Sequence, residues 1–98
     1  MRVAKILFAN PADQRTMEEL CEHCGANKRT VQRLFLEETK MSFRKWRQQL
    51  RLLHAMQLLA SREKVTAAAL EAGYASASAF ISMFRKQLGT TPARYLES

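Results

Sequence analysis

Cys21-Glu22-His23-Cys24-Gly25-Ala26-Asn27-Lys28-Arg29-Thr30-Val31-Gln32-Arg33-Leu34-Phe35 reads as a helix, a tight turn and a second helix. Gly25 can take the left-handed conformation that ends a helix at little cost. Asn27 is a strong N-cap for the second helix. Val31, Leu34 and Phe35 recur at the i, i+3, i+4 spacing of a buried face, which leaves Lys28, Arg29, Gln32 and Arg33 outside. The pattern returns in the second half as Ala69-Leu70-Glu71-Ala72-Gly73-Tyr74 followed by Ala75-Ser76-Ala77-Ser78-Ala79-Phe80-Ile81-Ser82-Met83-Phe84. Each copy has a small residue, a Gly four positions later, and a helix ending in a large apolar residue and Phe. The match extends further, since Ser42-Phe43-Arg44-Lys45-Trp46 stands where Thr91-Pro92-Ala93-Arg94-Tyr95 stands in the second half. An internal repeat of this kind marks a duplicated helix-turn-helix unit.

Working outward, a first helix is expected over Val3 to Ala9 with Val3, Ile6, Leu7 and Phe8 turned inward, ended by Asn10-Pro11. After a polar connector, Thr16 and Glu19 form a capping box for a helix that buries Met17, Leu20, Cys21 and Cys24. The next helix runs from Lys28 to about Lys40. Ser42 caps a fourth helix to Ala60, roughly 28 Å long. Its apolar residues form two seams, Phe43, Trp46, Leu50 and Leu53 on one side and Leu52, Ala55, Met56 and Leu59 on the other. A helix apolar on two sides is expected to be a shared strut between the motifs. Thr66 is expected to cap a short fifth helix, Ala67 to Ala72, and a sixth begins near Ser76 with Phe80, Met83 and Phe84 inward. Gly89 closes that helix, and Thr91-Pro92 opens a last one that Tyr95 and Leu96 dock on the core. The expected organisation is all-α: a first subdomain over about 3–41, a linker helix over about 42–60, and a second subdomain over about 65–97.

Composition narrows the function. A hydrophobic share of 47% supports a packed core rather than a disordered tail. No apolar stretch approaches the ~20 residues needed to span a bilayer. The opening Met1-Arg2-Val3-Ala4-Lys5-Ile6-Leu7-Phe8 is broken by Lys5 and lacks a small-residue cleavage site, so a signal peptide is rejected. A cytoplasmic, nucleoid-associated protein with no membrane partner is expected. The net charge of +7 asks for a polyanion. Glu18, Glu19 and Glu22 gather early in the first motif, whereas Lys28, Arg29 and Arg33 lie on its second helix, followed by Arg44, Lys45, Arg47 and Arg51 and later by Arg85, Lys86 and Arg94. A basic stripe along two successive motifs suits a nucleic-acid duplex.

In a helix-turn-helix the second helix enters the major groove with its N-terminal side chains at base edges. Arg33 can bond guanine O6 and N7, and Gln32 can bond adenine N6 and N7, each worth ~1–3 kcal/mol of discrimination. Arg29 suits a base or a phosphate, and Lys28 a phosphate. The second motif offers Ala77, Ser78, Ile81 and Ser82, with no guanidinium, and is expected to read weakly through thymine methyls and hydroxyls. Backbone grip is expected from Lys28, Arg44, Lys45, Arg85 and Lys86, and from the caps Thr66 and Ser76.

These residues resemble the DNA-binding domain of the AraC/XylS family of bacterial transcription regulators. The resemblance covers nearly the whole chain and is most specific at Arg29-Thr30-Val31-Gln32-Arg33-Leu34-Phe35, Phe43-Arg44-Lys45-Trp46-Arg47, Arg51-Leu52, Ala72-Gly73-Tyr74 with Phe80 and Phe84-Arg85, and Gly89-Thr90-Thr91-Pro92-Ala93-Arg94-Tyr95-Leu96. It implies about seven helices, two helix-turn-helix subdomains joined by a long central helix, and two recognition helices entering successive major-groove segments on one face of the duplex. By resemblance the base-reading positions are Arg29, Gln32 and Arg33, then Ala77, Ser78, Ile81 and Ser82. Lys40 stands where members often carry Gly, and Ser82 where some carry a basic residue. The resemblance also implies an N-terminal sensor or dimerisation domain, so the chain is expected to be the DNA-binding fragment of a longer regulator, with a small stand-alone regulator as the alternative; RNA polymerase is a further expected partner.

Other chemistries find less support. Cys21, His23 and Cys24 are ligand types for zinc, but structural zinc needs four ligands and only His54 remains to add. No nucleophile set, glycine-rich phosphate loop or paired carboxylates point to an enzyme, and no cofactor is expected. The alternative from another class is a helix-turn-helix interaction module that docks a transcription-machinery partner without reading bases.

Overall fold

The computed structural model describes residues 2–97, and the described residues hold seven helices and no strand. They are α1 (Arg2–Ala9), α2 (Met17–Cys24), α3 (Lys28–Thr39), α4 (Phe43–Ala60), α5 (Val65–Glu71), α6 (Ala77–Leu88) and α7 (Pro92–Glu97). Among the described residues no helix is long and apolar enough to cross a membrane. The chain divides into two compact units, Met1–Leu50 and Arg51–Ser98, with the boundary inside α4.

The first unit is built on Val3 and Leu7 of α1, Met17, Leu20 and Cys21 of α2, and Val31 and Phe35 of α3, all buried. The opening turns of α4 complete it with Phe43, Trp46 and Leu50. The Phe35 ring meets Phe43 at 5.1 Å and Trp46 at 4.9 Å between centroids. Such pairs add ~0.5–1.5 kcal/mol each beyond the area they bury. Two expectations change here. Phe8 is 64% exposed, because one helical step past Leu7 turns it off the buried face, and its ring meets Trp46 edge to face. Cys24 is half-buried rather than core.

The second unit packs Leu52, Ala55 and Leu59 of α4 against Ala68, Ala69 and Ala72 and against Phe80 and Phe84 of α6. The three alanines are fully buried; their small side chains let the short α5 sit close against the aromatic pair. Phe80 lies between Tyr74 and Phe84 at 5.1 and 5.7 Å, and Phe84 meets Tyr95 of α7 at 5.5 Å. Tyr95 and Leu96 dock only partly, remaining 43% and 50% exposed. Leu53 leaves the seam assigned to it and is 54% exposed.

The start of α5 differs from the expectation as well. Thr66 is not its cap: the helix begins at Val65, and Lys64 occupies the cap position in extended backbone without a side-chain hydrogen bond. The cause lies upstream. Arg62 takes φ 67°, and the Glu63 amide donates to the Leu58 carbonyl, which closes α4 and delivers the chain two residues earlier than a Thr66 cap would. Thr66 then stands exposed in the first turn of α5.

Candidate nucleic-acid interface

The first helix-turn-helix motif is held by its caps. The Glu19 amide donates to Thr16 Oγ1 at 3.2 Å, and the Thr16 amide donates back to Glu19 Oε1 at 3.3 Å. At the end of α2, Gly25 takes φ 64°, and the Ala26 amide donates to the Cys21 carbonyl at 2.8 Å. Asn27 Oδ1 then accepts from the amides of Arg29 and Thr30 at 2.9 and 3.3 Å. Each cap of this kind is worth ~1 kcal/mol and fixes where α3 starts. With Val31 and Phe35 buried, Lys28, Arg29, Gln32 and Arg33 are all exposed, on the outward side of the helix.

Carboxylates partner two of these cations. The Lys28 ammonium donates to Glu18, and that contact holds the Glu18 carboxyl below its usual range. Arg33 Nη1 lies 3.6 Å from Glu37 Oε1 one turn along α3, with both side chains about 60% exposed. Exposed pairs are worth ~0–1 kcal/mol, so a better acceptor can draw Arg33 away. Arg44 and Lys45 are exposed at the start of α4, where Ser42 Oγ accepts from the Lys45 amide at 3.2 Å.

Arg47 does not belong to the outward stripe. Its guanidinium donates to the carbonyls of Asp13 and Arg15 and lies over the Phe43 ring, 5.7 Å from the centroid. It pins the connector between α1 and α2. Within that connector Arg15 Nη2 donates to Asp13 Oδ2 at 2.6 Å, and the Arg15 amide to Oδ1 at 2.9 Å. The Arg15 hydrogen bonds hold the Asp13 carboxyl down at about 2 against the desolvation of its burial. No spacing rule in the sequence marks this cluster; the only signal is an Asp-x-Arg pair next to a capping box.

The second motif is plainer. Ser76 caps α6, its Oγ accepting from the Ala79 amide at 3.1 Å. Ser78 and Ser82 are exposed, whereas Ala77 and Ile81 are half-buried, Ile81 packing on the core beside Phe80. Ile81 therefore offers a flank rather than a free side chain. Arg85 and Lys86 are exposed in the last turn of α6, where cations favour the helix dipole. His54 is half-buried, Cys21 is buried and His23 exposed.

A family model described as a helix-turn-helix domain matches residues 20–98. A solved transcriptional regulator from Chromobacterium violaceum, described as of AraC-type DNA-binding domain, superposes with a TM-score of 0.82 at 25% identity over 94% of this chain and 83% of that one. The chain belongs to the AraC-type family of helix-turn-helix transcriptional regulators. This AraC-type chain is 40% identical over 93 residues to the regulator RipA of Corynebacterium glutamicum, matching 95% of this chain and 28% of that protein. It is 37% identical over 94 residues to NimR of Escherichia coli K12, matching 96% of this chain and 34% of that one. It thus spans about a third of the length of these curated relatives. The DNA-binding domain of AdpA, solved in complex with a target DNA, superposes with a TM-score of 0.85 at 30% identity over 96% of this chain and 86% of that one. The relatives are regulators rather than enzymes. Within the AraC-type fold, Lys40 takes the left-handed φ of 62° that a Gly would adopt without strain, its amide donating to the Leu36 carbonyl at 3.0 Å.

Proposed function

We propose that this AraC-type domain reads double-stranded DNA sequence-specifically in the bacterial cytoplasm, entering successive major-groove segments with α3 and α6. The observation that carries this is the exposed trio Arg29, Gln32 and Arg33 on the N-terminal half of a helix whose start is fixed by the Asn27 cap. A relative crystallised on its target DNA supports it. Arg33 and Gln32 supply bidentate donors for base edges, with Arg29 beside them. Ser78 and Ser82 contribute hydroxyls on α6, and Ala77 and Ile81 contribute apolar flank. Lys28, Arg44, Lys45, Arg85 and Lys86 face phosphates, as do the amides of the first turns near Thr66 and Ser76. RNA polymerase and a sensor or dimerisation domain of a longer regulator complete the proposed partners.

The test is selection of bound sites from a random duplex library, followed by binding across salt concentrations. A two-part preference with centres ~10 bp apart is expected. Affinity should fall steeply with salt, and Arg33→Ala should weaken the selected site by ~1–3 kcal/mol while relaxing preference at one base pair. Flat salt dependence would favour a protein-docking module, and a single short contiguous site would mean that α6 stays out of the groove.

A further inference from the structure

Helices α2 and α3 together are acidic inside a basic protein. Glu18, Glu19 and Glu22 on α2 with Glu37 and Glu38 on α3 outnumber Lys28, Arg29 and Arg33, so the chain's +7 resides elsewhere. Two of those carboxylates are placed against cations of α3, Glu18 on Lys28 and Glu37 on Arg33. Non-specific binding to DNA is almost wholly attraction to phosphate, and each carboxylate at the groove subtracts from it.

We propose that Glu37 is a specificity-determining residue, orienting the Arg33 guanidinium for a base edge and making it a poor ligand for phosphate. This rests on the reading that Arg33 contacts a base. A guanidinium has five N–H donors in a rigid fork. Nη1 can stay near Glu37 while the other donors remain for O6 and N7 of guanine. A guanine edge is neutral, so the carboxylate beside the fork costs little there. A phosphate is an anion, so the same carboxylate repels it. The pair therefore penalises the sequence-independent mode more than the sequence-reading one. Glu18 differs, because its partner Lys28 is a point charge at a phosphate-facing position, where neutralisation lowers all binding alike.

Glu37→Gln keeps the side-chain shape and removes the charge, and Glu18→Gln is its comparison. Both are measured on a duplex recovered by the random-library selection and on random-sequence duplex of equal length, with urea midpoints confirming that the fold is kept. Glu37→Gln should tighten binding to random duplex about two- to fivefold, the equilibrium equivalent of one exposed ion pair. It should leave the selected duplex within about twofold, steepen the salt slope on random DNA by up to ~0.9, and relax preference at the base pair that Arg33→Ala relaxes. Glu18→Gln should tighten both duplexes equally. If Glu37→Gln moves both duplexes by the same factor, or weakens the selected duplex while leaving random DNA unchanged, the proposal is overturned. The first result makes Glu37 bulk charge, and the second makes it a base reader itself. Failure of the unsubstituted chain to prefer any duplex would overturn this proposal together with the DNA-reading assignment, and so is told apart from either.

Discussion

Replacing Arg47 by Met separates a phosphate contact from a strut. The guanidinium gives hydrogen bonds to the carbonyls of Asp13 and Arg15 and lies over Phe43. Hydrogen bonds from a charged donor are worth ~1.5–3 kcal/mol each. The site is half-buried, so the freed carbonyls regain some water and the lower value applies to both. Met keeps the alkyl packing and a sulfur–aromatic contact with Phe43 that stands in for the cation–π attraction. The expected loss is about 3 kcal/mol. With a urea dependence of ~1–1.5 kcal/mol per molar for a small domain, the unfolding midpoint should fall by about 2–3 M. Arg47→Lys should lie between, since an ammonium cannot reach two carbonyls with a planar fork. DNA affinity measured where the variant is still folded should keep its salt slope. A midpoint within about 0.3 M of the unsubstituted chain, together with a slope lower by ~0.9, would show that Arg47 faces phosphate and would refute the assignment.

Three further outcomes are expected. Asp13 is held at about 2 against an ordinary value of 3.8, so its stabilising effect is complete above pH 4 and is lost as pH falls towards 2. The shift corresponds to about 2.4 kcal/mol, which solvent screening at this site reduces to about 1 kcal/mol; acid titration of stability should therefore be flatter between pH 4 and 2 in Asp13→Asn. The Tyr74 hydroxyl is buried without a hydrogen-bond partner among the described residues, and burial pushes its pKa up. Tyr74→Phe should hold or raise stability by up to ~1 kcal/mol in urea unfolding, and a loss above that would reveal a partner for the hydroxyl. Ser76→Ala should cost ~1 kcal/mol and Thr66→Ala under ~0.5 kcal/mol in the same assay, because only Ser76 caps a helix; equal costs would restore Thr66 as a cap.

The parts of this fold that were legible in the sequence are those set by local chemistry. Thr16 with Glu19, Gly25 and Asn27 each satisfy backbone groups within a few residues of themselves, so residue type and spacing were enough. The face of α3 came from periodicity, because Val31 and Phe35 can be buried on only one side. What spacing could not show depends on partners distant in the chain. Arg47 reads as one more cation until the carbonyls of Asp13 and Arg15 come within reach of it. Ile81 reads as outward until the neighbouring aromatic core takes part of its surface. The end of α4 had no glycine to announce it, since Arg62 makes the left-handed turn, and the start of α5 was displaced as a result. Along α3 and α6, the residue types suited to base edges were visible, while the pairing of Arg33 with Glu37 needed side-chain positions.

The cationic residues that end α3 and α4 leave the domain with unused thermal headroom. Lys40 and Arg62 hold positive φ angles that disfavour any side chain with a Cβ by ~1–2 kcal/mol. Glycine would relax both turns, recovering about half of that after its own larger unfolded-state entropy is subtracted. A hardened scaffold is therefore two substitutions away, and it would carry two fewer positive charges. At both turns the residue that would relax the backbone is also one that lowers the chain's positive charge.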